Sequence, residues 1–83
     1  MNTHEHVDYD AEADTIYVAL QAADVDHTTS LDDHRLLDIA SDGSLIGVEF
    51  IDVSGGVDTS DLPLRRHVEQ LIVASRLPVK LLA

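Results

Sequence analysis

Eighty-three residues carry sixteen acids against five bases, a net charge of −11, and no cysteine. A chain of this length folds as one small domain with a thin core, burying only about 60% of its unfolded surface, and without cysteine it has neither a disulfide framework nor a thiolate metal site. So negative a chain repels phosphate backbones, which argues against nucleic-acid binding, and no apolar run approaches the roughly 20 residues of a membrane-spanning helix.

The opening stretch, "MNTHEHVDYD", lacks a basic segment followed by an apolar one, so no leader peptide is expected and residues 1–83 read as a single soluble domain suited to a reducing cytoplasm. Val7 and Tyr9 alternate with acids. Ile16, Val18 and Leu20 alternate with Tyr17 and Ala19, the period-2 pattern of half-buried strands. Between them Asp10 and Asp14 bracket a turn, because aspartate side chains bond backbone N–H groups two residues on. Asp10, Glu12 and Asp14 have the spacing of the first three ligands of an EF-hand loop, but Thr15 and Gln21 stand where that loop needs glycine and glutamate. A hairpin, not a calcium loop, is the reading.

Residues 21–33, "QAADVDHTTSLDD", are polar and turn-rich, with at most a short strand from about His27 to Leu31. In "LLDIASDGSLIGVEFIDVS" the Asp42-Gly43 pair predicts a two-residue type I′ hairpin, which sets Ser41 opposite Ser44, Ile39 opposite Ile46, Leu37 opposite Val48 and Arg35 opposite Phe50. One face is then Leu37, Ile39, Ile46, Val48 and Phe50, the expected core. The other, from Leu36 and Asp38 to Glu49 and Ile51, is mixed, a surface suited to partial cover by another chain. Gly55 to Asp61 reads as a flexible link. Ser60 or Asp61 is expected to cap a helix with Pro63 in its first turn and Leu64, Val68, Leu71 and Ile72 on its apolar face, ended by Pro78. "VKLLA" supplies a last strand or a docking tail. The expected fold is α+β: a small antiparallel sheet of β-hairpins packed against one C-terminal helix.

Two of these stretches resemble a known family. Tyr9, Asp10, Glu12, Ala13, Asp14 and Tyr17, together with Asp42, Gly43, Gly47, Val48, Glu49, Asp52 and Ser54, match the signature segments of domain of unknown function (DUF) family 2283, small bacterial and archaeal proteins. The resemblance runs from Val7 to Ser54 and more loosely to about residue 75. It implies a small sheet-and-helix fold and no established reaction, so it transfers no catalytic residue.

His4 and His6 form an H-x-H pair which, on a strand, shares a face with Asp8; imidazoles with a carboxylate suit a divalent transition metal such as zinc. Against this stands the ordinary solvation of histidines beside a terminus. Asp32, Asp33 and His34 read as loop residues. Ser54 and His67 lack the elbow or oxyanion framework of serine catalysis, and Glu49 and Asp52, three apart on a strand, point to opposite faces. Gly55-Gly56 lacks a phosphate-loop context. Residues 1–62 hold fifteen acids against Arg35 alone, −14, while residues 63–83 hold Arg65, Arg66, Arg76 and Lys80 against Glu69, +3. An acidic body with a basic tail attracts its own tail, within a chain or between chains. The expectation is a non-catalytic interaction or accessory module that forms a homo-oligomer or takes a small protein partner. The alternative is a metal protein using His4, His6 and Asp8; an enzyme of unknown substrate ranks third.

Overall fold

The computed structural model describes residues 5–82. Five strands, β1 (His6–Asp10), β2 (Thr15–Ala19), β3 (His27–Asp32), β4 (Arg35–Ile39) and β5 (Leu45–Ile51), form an antiparallel sheet in the order β1-β2-β5-β4-β3. The helix α1 (Arg65–Ala74) lies on one face, so the expected α+β arrangement of a hairpin-built sheet and one C-terminal helix is present. Alternation decides which side chains meet it: Ile16 and Val18 stand opposite Phe50 and Val48, and these four, nearly inaccessible, pack with Leu37, Val68 and Ile72.

The β4–β5 hairpin keeps the expected pairing of Leu37 with Val48 and Arg35 with Phe50, but its turn is not the two-residue type I′. Ala40 N–H donates to the Ser44 carbonyl and Gly43 N–H to the Ala40 carbonyl, both at 2.9 Å, closing a three-residue loop in which Gly43 alone has positive φ, +87°. The Asp42 carboxylate favours this form, accepting the Ser44 N–H at 2.9 Å and its hydroxyl at 2.6 Å. The loop shifts the register by one residue, so Ile39 faces Leu45 rather than Ile46. A bulge then restores it, because Asp38 pairs with Gly47 and Ile46 is the extra residue. Leu45 consequently joins the core cluster and leaves the mixed face to which alternation assigned it.

Gly55 to Asp61 is not a flexible link. A 3₁₀ turn (Val53–Gly55) leads into β6 (Val57–Asp58), which pairs in parallel with β7 (Leu81–Leu82), and Val53, Val57 and Thr59 are fully buried. The tail is therefore a strand. Neither Ser60 nor Asp61 caps the helix: Leu64 occupies the N-cap in left-handed conformation, φ +56°, without a side-chain cap. Asp61, φ +62°, bends the chain earlier, so Leu62 enters the core while Leu64 is 59% exposed. The helix also ends before Pro78 acts. Arg76 turns left-handed at φ +54°, and Ser75 N–H closes the last turn on the Leu71 and Ile72 carbonyls.

Candidate functional site

The opening turn is held by its own acids. Asp10 Oδ1 accepts the N–H groups of Glu12 and Ala13 at 3.1 and 3.0 Å, while Asp14, left-handed at φ +60°, turns its carboxylate across the sheet. There it accepts the Ser54 N–H at 2.9 Å and the Ser54 hydroxyl at 2.7 Å, and its carbonyl accepts the Val53 N–H. One aspartate thus ties the β1–β2 turn to the 3₁₀ turn after β5. Glu12 remains exposed.

On the sheet face away from the helix, Tyr17 lies over Gly47 and donates its hydroxyl to Asp38 Oδ2 at 2.8 Å; Thr28 donates to Asp38 Oδ1 at 2.6 Å. Burial, then the Asp38 hydrogen bond and the negative charges of Asp38 and Glu49, push the phenol well above the usual tyrosine range, so Tyr17 stays a neutral donor. This row joins β2, β4 and β3 through side chains, passing over the bare backbone of β5 at Gly47.

At the far end of β4 lies a cleft of about 410 Å³, lined among others by Asp32, His34, Arg35, Asp52 and Asp58 over Phe50 and Val57. Its centre is Arg35, which is 6% exposed. Nε and Nη2 donate to Asp32 Oδ2 at 3.0 and 2.7 Å, and Nη1 donates to the carbonyls of Asp58 and Ser60. Four of the five guanidinium donors are thereby directed at this chain's own oxygens, so the cleft offers a ligand little of that charge. The Arg35 hydrogen bond, with the His34 N–H behind it, holds the Asp32 carboxyl below the usual aspartate range. His34 Nε2 stands 3.2 Å from Asp52 Oδ2 at the rim, both mostly exposed.

His6 and Asp8 do share the exposed face of β1, with Nε2 and Oδ2 3.2 Å apart, while His4 lies outside the described residues. Among the described residues no group of three or more histidines and acids is arranged to hold a metal ion. The structure does not bring Ser54 and His67 together: Ser54 bonds Asp14, and His67 pairs with Glu5. Glu49 lies half-buried on the Tyr17 face, and Asp52 follows β5 in left-handed conformation, φ +59°. Arg65 pairs with Glu69 one turn on, at 3.2 Å, rather than with the sheet; Thr59 also donates to that carboxylate, and these contacts, the Thr59 hydroxyl first, lower its pKa. Reading the sequence missed the role of Arg35, although the predicted register already set this cation beside Phe50 on the core face. No signal marked Asp38 as the acceptor for Tyr17.

A family model described as protein of unknown function (DUF2283) matches residues 6–54, more than half of the chain. No curated protein and no solved structure matches it.

Proposed function

The chain belongs to the DUF2283 family, and on that premise we propose that it is a non-catalytic interaction module that self-associates, acting in a prokaryotic cytoplasm through the surface it presents. One observation carries the reading: Asp10, Asp14, Tyr17, Asp42 and Ser54 of the family stretches spend their side chains on the chain's own turns and strands. Asp10 holds its turn, Asp14 holds Ser54, and Tyr17 lies over Gly47 on Asp38. A pattern consumed in this way encodes a scaffold, and what the scaffold displays is a surface divided between an acidic body and a basic C-terminal segment. Light scattering on the full chain across micromolar concentrations at low ionic strength is the test. A mass that rises with concentration is expected, and one chain's mass at every concentration refutes the proposal.

A second reading rests on the His6–Asp8 pair, 3.2 Å apart on β1. In it, His4, His6 and Asp8 hold a divalent transition metal such as zinc. Elemental analysis of untagged protein and melting with and without added zinc decide it: bound metal and a raised melting temperature, both lost in His6→Ala, support it, and neither effect in the wild type removes it.

A further inference from the structure

The self-association reading leaves open which surfaces meet, and the exposed apolar side chains indicate them. Large hydrophobic residues stand out of the described surface at Val25, Leu31, Leu64, Val73 and Leu82, 48%, 36%, 59%, 62% and 41% exposed. They fall into two sets with opposite charge around them. Val25 lies between Asp24 and Asp26 in an exposed stretch without regular structure, and Leu31 precedes Asp32 and Asp33. Leu64, Val73 and Leu82 belong to the segment that carries Arg65, Arg66, Arg76 and Lys80. Within the acidic set, Asp32 is already engaged by Arg35, whereas Asp24 and Asp26 make no ion pair with arginine or lysine among the described residues. Asp26 Oδ2 does meet His27 Nδ1 at 2.9 Å, so Val25 is the apolar knob whose flanking acids have only this histidine, and no arginine or lysine, beside them among the described residues.

The complementary surface is a groove of about 490 Å³, mainly apolar, where α1 meets β7; Arg66, Val73, Ala74 and Leu81 line it, with Glu69 and Gln70 on its wall. Arg66, Arg76 and Lys80 make no ion pair among the described residues. Knob and groove cannot meet within one chain: Val25 leads into β3, the edge strand at one end of the sheet, and α1 packs over β1 and β2 at the other.

We propose that the Asp24-Val25-Asp26 segment of one copy docks into the α1–β7 groove of a second copy, with Val25 against Val73 and the two aspartates toward Arg66 and its basic neighbours. Resting on the self-association reading, this names the contact as head-to-tail. Because the two surfaces differ, each copy keeps a free knob and a free groove, and assembly continues to a ring or an open chain. Salt screens the charges that orient the contact, so it weakens as ionic strength rises.

Sedimentation velocity of the full chain tests this with two variants at exposed positions, Val25→Asp and Val73→Glu, each first checked for wild-type circular dichroism and melting. The wild type is expected to form species beyond a dimer at low salt and to return toward the 9.1 kDa chain as sodium chloride is added. Each variant alone is expected to stay monomeric. Mixed one to one, they are expected to give a dimer and nothing larger, since only the intact groove of Val25→Asp and the intact knob of Val73→Glu remain to meet. A wild type that stays monomeric overturns the self-association reading itself and leaves the groove to a different protein or to none. Wild-type association that survives in both variants overturns only this contact. Two monomeric variants that give no dimer on mixing overturn its head-to-tail character.

Discussion

The ring of Tyr17 rests on the Cα of Gly47: a Cβ added there would stand 2.5 Å from the ring carbon Cζ, a separation that side chains essentially never show. Gly47→Ala therefore has to displace the ring and with it the hydroxyl that reaches Asp38. The expected loss is about 1–3 kcal/mol, typical of overpacking, and at about 4–8 °C per kcal/mol for so small a domain the melting temperature falls by several degrees. In a Tyr17→Ala background the same glycine change costs little, because nothing remains to collide with. Thermal melts of the two singles and the double check this; additive losses remove the stacking account.

Tyr17→Phe keeps the ring and removes one hydrogen bond, so a smaller loss of about 0.5–1.5 kcal/mol is expected. The same bond predicts alkaline sensitivity. The folded-state pKa of Tyr17 is raised, so its contribution is whole below the ordinary tyrosine value of about 10 and is lost as the pH climbs toward the folded value. Denaturant titrations at increasing pH are expected to show a steeper alkaline decline for the wild type than for Tyr17→Phe, and equal slopes contradict it.

Asp14→Gly retains a residue at ease with φ +60° while removing the carboxylate that Ser54 bonds twice. It is expected to cost about 1–3 kcal/mol, the penalty of leaving polar partners unmade, and to raise amide exchange at Val53 and Ser54 ahead of the sheet. Exchange at those two amides unchanged from wild type removes the proposed tie.

Asp32 has its pKa lowered, first by the hydrogen bond from Arg35. A depressed folded-state value means stability that is present above the ordinary aspartate value of about 3.9 and is lost as the pH falls through the lower folded value. Asp32→Asn is expected to flatten that acid limb, and its destabilisation relative to wild type to shrink as the pH drops. A gap that stays constant with pH shows that the ion pair does not govern the limb.

Gly43→Val meets no atom within 4 Å of its Cβ, so its whole cost is backbone strain at φ +87°, about 1–2 kcal/mol for a residue with Cβ and more for a branched one. Gly55→Val meets equally open space without positive φ and is expected to melt close to wild type. Parallel thermal melts that fail to separate the two variants remove the turn geometry.

The β1–β2 and β4–β5 hairpins were legible in the chain because they rest on local periodicity and on turns between neighbouring strands. Alternation marked the buried faces of both hairpins, since a slip of one residue turns every side chain to the wrong face, but it did not announce that β2 pairs with β5, Ile16 opposite Phe50 and Val18 opposite Val48. The Asp10–Asp14 turn was legible for the same reason, since its hydrogen bonds span two or three residues. The Asp42-Gly43 signal marked the place of the second turn but not its type, which depends on the bulge at Ile46 that returns Leu37 to Val48.

What only the tertiary structure decided involves groups far apart in the chain. Arg35 is buried because the carbonyls of Asp58 and Ser60 come round to its guanidinium. The segment after Gly55 is core because β7 arrives from the C-terminus to pair with it, which no local pattern announces. Gly47 is needed because of Tyr17, thirty positions earlier, and the helix begins at Arg65 because left-handed Asp61 and Leu64 turn Leu62 into the core. Each outcome is set by steric fit and polar satisfaction between distant residues, and those energies exist only once the chain has closed on itself.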